Sequence, residues 1–461
     1  MFLKDMDKNK LIHMIGIGGV SMSGIAEILL SMGFKISGSD LHLSEVTERL
    51  EEKGIKIYNG HFPENVINAG VVIYTAAVKS DNPELVKANE LCIPTIERAD
   101  FLGELTKLYT ETIAVSGTHG KTTTTSMISL IFMEALKDPT VQVGADLKQL
   151  HGTNYRVGNS PYFIVEACEY VESFLRFSPK SAIILNIEED HLDYYKDINH
   201  IQSSFKKFAD LVPNDGYVFL NADDERCLEI AKSLNSTVVT FGINNKDATV
   251  RAENVQLNSN GHYSFTAIYG ESNFKIDLNV LGIHNVYNAL SAIAVALTYK
   301  IKIETIQSAL FDFTGAHRRF EYVGEFGNAQ IYDDYAHHPT EIKATIEAAN
   351  NLPHNKLWVI FQPHTYTRTS TLFNEFASAF LNVDEVILAD IYAAREIDTG
   401  EVSSEKLAIA INKISNNCSY LGNFKDIETH LKENIKPGDV VLTVGAGDIY
   451  KVGLELVKGV K

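Results

Sequence analysis

The stretch SGTHGKTTTTSM, residues 116–127, contains the residue types that bind a nucleoside triphosphate. Its glycines let backbone N–H groups approach phosphate oxygens, Lys121 can reach the β- and γ-phosphates, and Thr122 is placed to ligate Mg²⁺. Val115 stands where the common phosphate-binding loop has its first glycine, so this is a shorter G-T-x-G-K-T variant. The stretch predicts a nucleotide-binding loop made of Gly117, Thr118, His119, Gly120, Lys121, Thr122 and Thr123.

Acidic residues and a histidine follow two later apolar segments, where a metal bound to the phosphates could be reached. Glu166 ends the segment YFIVE, and His191 belongs to EEDH after the segment AIILNI. Since Mg²⁺ prefers oxygen ligands, we expect Glu166 to join Thr122 as a ligand, and we interpret His191 as linked to the same metal. For Glu169 and Glu188, a solvated carboxylate at the sheet edge is the favoured interpretation.

A second phosphate-binding candidate is HMIGIGGVSMSG, residues 13–24, in which an apolar segment runs into closely spaced glycines. It partly matches the G-x-G-x-x-G signature of dinucleotide-binding domains, because a serine stands at the last position of that signature. This predicts a diphosphate site, which could belong to a dehydrogenase or to an enzyme that binds another nucleotide. The predicted site consists of Gly16, Gly18, Gly19, Val20 and Ser21.

Further polar groups stand at predicted strand and helix ends. Asn285 and Asn288, three positions apart at a helix start, either cap the helix or read a purine edge. Arg319 in GAHRRFEYVGE could complete the charge stabilisation of phosphoryl transfer across a hinge. The guanidinium of Arg368 in FQPHTYTRTS suits a carboxylate. The polar cluster DDYAHHPTE contributes Asp334, Tyr335, His337 and His338.

Length and composition limit which proteins can carry these groups. The chain has 461 residues, enough for about three domains, and its 45% hydrophobic content is that of a folded protein. The formal net charge of −18 disfavours a nucleic-acid partner, which requires a basic face. The four cysteines lack metal-ligand spacing, and no apolar stretch is long enough to insert into a membrane. We therefore expect a cytoplasmic protein.

The elements that must position these groups are mainly parallel strands joined by helices, because short β-branched segments alternate with longer amphipathic ones. Between about residues 236 and 280 the helices vanish, and HYSFTAIYG with FKIDLNV predicts a hairpin. Linkers near residues 110 and 316 divide the chain into the segments 1–110, 111–316 and 317–461. The polar clusters fall after predicted strands, where open α/β sheets bind ligands, so we expect three sheets to face one cleft.

In this order, the motifs resemble those of the Mur ligases. The matching stretches are GIGGVSMSGIAEILL, GSD, GTHGKTTTT, EACEYVESFL, NIEEDHLDYY, HNVYNALSAIAVA, HRRFEYVGE, DDYAHHPTEI and FQPHTYTRT, which together span the whole chain. The resemblance implies an α/β fold of three domains. The outer two would be Rossmann-like, and the central one a P-loop ATPase domain with a mainly parallel sheet plus a small antiparallel sheet.

The resemblance also implies a reaction. ATP, with Mg²⁺, would convert the lactyl carboxylate of UDP-N-acetylmuramate to an acyl phosphate, which the amine of L-alanine attacks. The first glycine loop would hold the UDP diphosphate rather than NAD, with Ser39 and Asp40 near the nucleoside. The implied catalytic residues are Lys121, Glu166, His191, Arg319 and Arg368, the implied nucleotide contacts include Asn285, Asn288, Arg319 and Asp334, and the implied amino-acid site consists of Tyr335, His337, His338 and Arg368.

Two details and two alternatives accompany this resemblance. Some members have arginine at the position of Thr365, so Arg368 would carry more of the contact to the amino-acid carboxylate here. Some use a carbamylated lysine, whereas Lys206 and Lys207 are expected on a solvated helix face. The alternatives are a muropeptide-recycling ligase that joins a tripeptide to the same UDP-sugar, and a nucleotide-gated binding protein without catalysis. We expect a monomer or a dimer.

Overall fold

The computed structural model describes Leu3, residues 6–394 and residues 396–458. These residues form three α/β units that follow one another along the chain, each with its own sheet. They are called the first, second and third unit below. Within the described ranges, no helix is both long enough and apolar enough to cross a lipid bilayer.

The first unit has the expected alternation of strands and helices. Its strands are β1 (Leu11–Ile15), β2 (Lys35–Asp40), β3 (Lys56–Asn59), β4 (Ala69–Tyr74) and β5 (Thr95–Glu97). Its helices are α1 (Val20–Ser31), α2 (Glu45–Glu52), α3 (Pro83–Glu90) and α4 (Arg98–Thr106), with a 3₁₀ segment at Pro63–Val66. The strands are parallel in the order β3-β2-β1-β4-β5, so the glycine loop follows the central strand.

The second unit is built on a ten-stranded sheet. Its first five strands are β6 (Glu111–Ser116), β7 (Thr140–Leu147), β8 (Thr153–Arg156), β9 (Tyr162–Glu166) and β10 (Ser181–Ile184). The others are β11 (Tyr217–Asn221), β12 (Thr237–Gly242), β13 (Val250–Leu257), β14 (His262–Tyr269) and β15 (Ser272–Leu281). Its helices are α5 (Lys121–Glu134), α6 (Ile198–Asp210), α7 (Glu225–Ala231), α8 (His284–Thr298) and α9 (Ile303–Asp312). Two 3₁₀ segments lie at Lys148–Leu150 and Tyr170–Arg176, and the latter is interrupted at its second and third residues.

The sheet of the second unit is parallel in the middle and antiparallel at its ends. The strand order is β15-β14-β13-β12-β11-β10-β6-β9-β7-β8, with antiparallel pairing among β13, β14 and β15 and between β7 and β8. The expected hairpin is confirmed as β14 and β15. The antiparallel strands continue the main sheet through only two paired positions of β12 and β13, Phe241 with Val250 and Gly242 with Arg251.

The third unit has a six-stranded sheet in the order β16-β17-β21-β18-β19-β20. These strands are β16 (Glu321–Phe326), β17 (Ala329–Asp334), β18 (Leu357–Phe361), β19 (Glu385–Ala389), β20 (Cys418–Gly422) and β21 (Val440–Val444). The helices are α10 (Pro339–Asn350), α11 (Tyr366–Thr371), α12 (Phe373–Ala377), α13 (Ser404–Ile414), α14 (Phe424–Asn434) and α15 (Tyr450–Lys458). Among the described strands of this third unit, only the β16–β17 pair is antiparallel.

Hydrophobic packing joins the first unit to the second. Phe101 and Leu105 of α4 share one buried cluster with Phe174 and Phe177 of the second unit, and α1 packs against β7 and β8. Phe174 also stacks on Phe208 of α6, with ring centroids 4.7 Å apart. Replacing Phe174 with alanine would therefore cost about 3–5 kcal/mol, because the cavity would open under both units.

Candidate active site

The loop between β6 and α5 has a backbone that glycine adopts most easily. Gly117 and Gly120 have φ angles of 143° and 84°. A Cβ atom on Gly120 would lie 2.5 Å from Oδ1 of Asn288, and one on Gly117 would lie 2.9 Å from Cβ of Leu185. Gly120 is also the N-cap of the 14-residue helix α5, whose first N–H groups have no acceptor within the helix. This geometry suits a phosphate group.

Lys121 is the first residue of α5, and its side chain folds back over the loop. Its Nζ donates to the carbonyl oxygens of Gly117 at 2.7 Å and Thr118 at 3.0 Å, and it lies 2.9 Å from Oε2 of Glu169. Burial alone would lower the pKa of Lys121, but attraction to Glu169 raises it above the ordinary value. The expectation that Glu169 is solvated is wrong, because its side chain is 3% exposed and neutralises this lysine.

Glu166 lies at the end of β9, next to β6, and faces the start of α5. The hydroxyl of Thr122 donates to Oε2 of Glu166 at 2.9 Å, and the N–H of Gly144 donates to the same oxygen at 2.8 Å. A Cβ atom on Gly144 would lie 2.5 Å from that oxygen, so only glycine allows this approach. Two oxygen ligands that suit Mg²⁺ are thus held together beside the phosphate-binding loop.

Asp190 and His191 lie beyond β10 and connect this loop to the third unit. Nε2 of His191 lies 3.6 Å from Asp190 and 3.8 Å from Glu169, and Nη2 of Arg368 lies 3.0 Å from Oδ1 of Asp190. Burial would raise the pKa of Asp190, but His191 and Arg368 hold it well below its usual range. Side-chain ligand atoms of Glu169, Asp190 and His191 lie within 4.8 Å of one another, a spacing that could hold a cation.

A cavity of about 660 Å³ opens beside the phosphate-binding loop. Nδ2 of Asn288 donates to Oδ1 of Asn285 at 2.8 Å, and Nδ2 of Asn285 donates to the carbonyl of Leu281 at 2.7 Å. The helix-capping alternative for these residues is wrong, because Ile283 is the N-cap of α8 and makes no side-chain capping bond. The cavity is lined by the predicted nucleotide-binding residues His119, Gly120, Thr123, Asn285, Asn288, Arg319 and Asp334.

The third unit supplies the outer wall of this cavity. Asp334 ends β17, and its carboxylate accepts from the N–H groups of Phe320 at 2.8 Å and Ala336 at 2.7 Å. Burial raises the pKa of Asp334 to about 6, although nearby Arg319 opposes the shift. Arg319 lines the cavity, whereas Arg318 is largely buried, with its Nε 2.8 Å from Oδ2 of Asp333. Of the two adjacent arginines, only Arg319 lines this cavity.

His119 of the phosphate-binding loop contacts the third unit directly. Its Nδ1 lies 3.1 Å from Oε1 of Glu341, and its Nε2 lies 3.6 Å from Oε2 of Glu188. Burial opposes protonation, but Glu341 and Glu188 raise the pKa of His119 to about 9. Glu188, expected to be solvated, also accepts from the hydroxyl of Thr340 at 2.9 Å. The side chain of Glu188 is 38% exposed, so it remains partly solvated as expected, but it is also part of the contact between the two units.

A second cavity, of about 450 Å³, lies between the second and third units on the side of His191. Arg368 of α11 reaches into it, and Thr365 is the N-cap of that short helix, with its hydroxyl 3.4 Å from the N–H of Arg368. The wall of the cavity therefore carries one acidic and one basic group, Asp190 and Arg368, which lie side by side. The cavity is close to the phosphate-binding loop. The other lining residues include His364, Thr367, Thr371, Leu372 and Glu396.

The remaining predicted residues of the amino-acid end lie at the start of α10. The ring centroid of Tyr335 lies 5.2 Å from the guanidinium carbon of Arg319. The ring centroid of His337 lies 5.5 Å from that of Tyr335 and 5.9 Å from that of His364. Burial lowers the pKa of His337 to about 3. His338 is the N-cap of α10, and its Nε2 lies 3.0 Å from the carbonyl oxygen of Glu189. His338 thus joins the start of α10 to the second unit, whereas Tyr335 and His337 contact residues of the third unit.

The glycine loop of the first unit connects β1 to α1 and adopts a backbone that glycine allows. Gly16 has φ of 77°, and the N–H of Gly18 donates to Oδ2 of Asp40 at 2.9 Å. Gly19 is the N-cap of α1, which begins at the exposed Val20. Ser39 is fully buried, and its hydroxyl donates to Glu84 at 2.6 Å, so its side chain supports the loop rather than lining a surface.

Comparison with known proteins decides the family. Models of the Mur ligase family catalytic domain, the Mur ligase middle domain and the Mur ligase glutamate ligase domain match residues 11–110, 115–296 and 318–447. The proteins named UDP-N-acetylmuramate--L-alanine ligase of Acetivibrio thermocellus and Clostridium novyi are each 53% identical to this chain, over 97% and 98% of it and 96% and 98% of their own length. The chain belongs to the Mur ligase family.

Solved structures extend the similarity to all three units of this Mur ligase. The UDP-N-acetylmuramate-alanine ligase of Thermotoga maritima matches with a TM-score of 0.84 and 31% identity, over 98% of this chain and 99% of that one. A murein peptide ligase of Psychrobacter arcticus matches with a TM-score of 0.74 and 25% identity, over 98% of each chain. The resemblance and the three-domain α/β fold expected from the sequence are confirmed, and the dehydrogenase alternative is excluded.

Several residues of this Mur ligase site were not identified from the sequence. Glu341 follows the cluster DDYAHHP, and its position three residues after His338 is the spacing of a capping box, a signal that was available. Arg98 and Gln142, which contact Ser21 of the glycine loop, stand in stretches without a recognisable motif. Their approach to the loop depends on how the first two units pack.

Proposed function

We propose that this Mur ligase uses ATP to join L-alanine to the lactyl carboxylate of UDP-N-acetylmuramate, in the synthesis of peptidoglycan precursors. The observation that carries the proposal is that Glu169 contacts both Lys121, in the phosphate-binding loop, and His191, beside the second cavity. A phosphoryl donor and an amine acceptor could therefore meet at one point. The names of relatives with 53% identity support the choice of substrates. Because the reaction consumes ATP, we place it in the cytoplasm.

In this proposal the loop from Gly117 to Thr123 holds the triphosphate, and Lys121 neutralises its charge. The donor set at the loop fits Mg²⁺, because Thr122 and Glu166 present oxygen atoms that are already 2.9 Å apart. His191 would serve the metal from its own cluster with Glu169 and Asp190. When bound, the cation supplies positive charge to the phosphates. The chain itself orients the nucleotide, with Asn285 and Asn288 at the adenine end of the cavity.

The third unit would complete the nucleotide site from outside. Arg319 lines the cavity opposite the loop and brings a second positive charge toward the phosphates. Asp334 would reach the nucleotide and, through its bonds to backbone N–H groups, hold the turn that presents Arg319. This arrangement requires the second and third units to be in contact, as they are at His119 and Glu341.

The chemistry then takes two displacements. An oxygen of the lactyl carboxylate attacks the γ-phosphorus of ATP, and the bond to the β-phosphate oxygen breaks to release ADP. The amine of L-alanine attacks the resulting acyl phosphate, a tetrahedral intermediate forms, and phosphate leaves as the amine loses a proton. We place the carboxylate of L-alanine against Arg368, whose guanidinium can bind it with two hydrogen bonds. Tyr335, His337 and His338 would shape this end of the site.

The three units divide the work in this proposal. Residues 1–110 would bind the UDP-sugar, with the diphosphate on Gly16, Gly18, Gly19, Val20 and Ser21 and the nucleoside near Asp40, since the side chain of Ser39 is buried against Glu84. Residues 111–316 would bind ATP and Mg²⁺, and residues 317–461 the amino acid. The support is positional, since Ser21 and Glu166 line one cavity of about 200 Å³ between the first two units. A UDP-sugar bound at the loop could therefore extend toward the phosphate-binding loop.

The deciding experiment measures phosphate release from ATP with Mg²⁺ and UDP-N-acetylmuramate. We compare no acceptor, L-alanine, glycine, L-serine and the tripeptide of muropeptide recycling. We expect release that requires the UDP-sugar and is highest with L-alanine. Release with the tripeptide alone would instead make the chain a recycling ligase. Binding of ATP without any acceptor-dependent release would make it a nucleotide-gated binding protein.

A further inference from the structure

The cavity between the first and second units contains a guanidinium group without a carboxylate partner. Arg98 is the first residue of α4 and half-buried, and it lines this cavity of about 200 Å³. Its Nη1 donates to the hydroxyl of Ser21 at 3.2 Å, and within the described ranges its side chain makes no ion pair. A partly desolvated guanidinium with unused N–H groups is suited to bind an anion.

Gln142 of β7 holds Ser21 from the second unit. Its Nε2 donates to both the carbonyl oxygen and the hydroxyl of Ser21, at 3.0 Å each. The carbonyl oxygen of Ser21 can only accept a hydrogen bond, so the nitrogen of the Gln142 amide must face it. This fixes the orientation of the amide group. The side chain is 4% exposed, and its Oε1 has no hydrogen-bond partner among the described residues. Gln142 thus has an unsatisfied acceptor, and it lines the same cavity as Arg98 and bonds to the same Ser21 hydroxyl.

The end of the glycine loop is therefore set by the neighbouring unit. Besides Gln142, Asn154 of β8 donates from Nδ2 to the carbonyl oxygen of Val20 at 2.7 Å. The hydrogen bonds from Gln142 and Asn154 both hold the first turn of α1 in place. The N–H groups of this turn have no acceptors within the helix. Any anion bound at this turn would lie at the boundary between the two units.

A diphosphate bound at the glycine loop would need a cation at this boundary. The six residues GIGGVS, residues 16–21, contain no charged side chain, and on one side the carboxylate of Asp40 accepts from Gly18. A diphosphate on this loop would meet that negative charge unless a cation offset it. Among the residues that line the boundary cavity, Arg98 is the one cation, and it contacts the loop at the end away from Gly18.

We infer that Arg98 binds the diphosphate of the UDP-sugar and that Gln142 is a positioning residue, which holds Ser21 for that contact. The inference deepens the proposed function and rests on it. Arg98 is assigned to the diphosphate and not to the lactyl carboxylate because its contact is with Ser21 of the loop. The reacting carboxylate must instead lie toward Glu166, on the side of the phosphate-binding loop.

The test combines steady-state kinetics with inhibition by UDP, which has the diphosphate but neither sugar nor carboxylate. In Arg98→Ala, we expect KM for UDP-N-acetylmuramate and the inhibition constant of UDP to rise together, by about tenfold to hundredfold, since one charged hydrogen-bonding group is lost. We expect kcat to stay within about threefold. Arg98→Lys should recover part of the loss. Lys107→Ala, at an exposed ion pair after α4, is the matched control and should leave both constants unchanged.

Gln142→Ala separates positioning from packing. We expect a smaller rise of both constants, about threefold to tenfold, with unchanged kcat and an unfolding temperature close to that of the parent. Loss of kcat in Arg98→Ala with unchanged UDP inhibition would overturn the inference and move Arg98 to the reacting carboxylate. Unchanged constants in Arg98→Ala would also overturn it. If the parent enzyme itself shows no turnover with UDP-N-acetylmuramate, the proposed function fails instead.

Discussion

Lys121 and Glu169 form a buried ion pair, with Nζ 2.9 Å from Oε2 and side-chain exposures of 15% and 3%. The lysine expected to bind phosphate is therefore already neutralised by a carboxylate of the same unit. A triphosphate that enters the loop competes with Glu169 for this cation, because the Nζ group has only three donors. Glu169 in turn lies 3.8 Å from His191, so nucleotide entry would alter charge at the acceptor side as well.

Replacement of Lys121 tests this pair. Lys121→Ala should lower acceptor-dependent phosphate release at least about hundredfold, since it removes a donor to the transferred charge. It should also reduce the free energy of unfolding by about 3–5 kcal/mol, because Glu169 stays buried without a counter-charge. Lys206→Ala, which removes an exposed pair with Asp210 on a helix face, is the control. Activity of Lys121→Ala close to that of the parent would refute the assignment of the loop.

A glycine comparison tests the shape of the phosphate-binding loop. Gly120→Ala combines a φ angle of 84° with a Cβ atom 2.5 Å from Asn288, so we expect KM for ATP to rise at least tenfold. Gly54→Ala has a similar φ of 87° but open space around its Cβ. It should cost about 1 kcal/mol of stability and leave KM for ATP unchanged. If the two variants bind ATP equally well, the contact with Asn288 has no role in the loop.

The contact between His119 and the third unit should depend on pH. Burial opposes protonation of His119, but Glu341 and Glu188 raise its pKa to about 9. A raised pKa means that protonation stabilises the folded state below about pH 6.5, and that this stabilisation disappears as the pH rises through 9. The full effect is about 3 kcal/mol. Denaturation with urea at intervals from pH 6 to pH 10 measures it.

Two variants make this pH prediction specific. His119→Gln should flatten the decline of stability between pH 6.5 and pH 9, since the titrating group is gone. His42→Gln, at an exposed position of the first unit, should keep the decline of the parent. Small-angle scattering gives a second measurement, because loss of the contact with Glu341 should raise the radius of gyration at high pH. An unchanged slope in His119→Gln would contradict the prediction.

Arg368 should determine affinity for the amino acid. Arg368→Lys keeps the charge but loses the two-pronged contact, so KM for L-alanine should rise about tenfold while KM for ATP changes less than twofold. Lys451→Ala, at an exposed pair with Asp448 in the same unit, is the control. If Arg368→Lys has an unchanged KM for L-alanine but lower stability, Arg368 has only a structural role, through its ion pair with Asp190.

Patterns in short stretches of the sequence predicted those parts of the molecule whose geometry depends on residues that are close together along the chain. The phosphate-binding loop is set by seven consecutive residues, four between β6 and α5 and three in the first turn of α5. The hairpin β14–β15 is set by alternation of buried and exposed positions. Lys206 and Lys207 lie on a solvated helix face as expected, with side chains 42% and 54% exposed. Each of these features requires only the chain within a few positions.

The misjudged carboxylates depend on contacts between distant parts of the chain. Glu169 is buried by Lys121, 48 positions earlier, and Glu188 contacts His119, which lies 69 positions earlier (188 − 119). Neither separation leaves a trace in the neighbouring sequence, so a solvated carboxylate was the reasonable expectation. The resemblance implies that Ser39 lies near the nucleoside, but its side chain is fully buried and its hydroxyl donates to Glu84 of α3.

The two cavities take their third-unit walls from separate segments. Residues 319–345 line the one beside the phosphate-binding loop, and residues 364–372 with Ala394 and Glu396 line the other. Only part of the acceptor end is separable in this way, because Tyr335, His337 and His338 belong to the first segment. A graft of residues 364–372 from a relative with another acceptor would change the wall around Arg368 and leave the lining of the nucleotide cavity intact. Acceptor preference could therefore evolve one segment at a time, while the ATPase is retained.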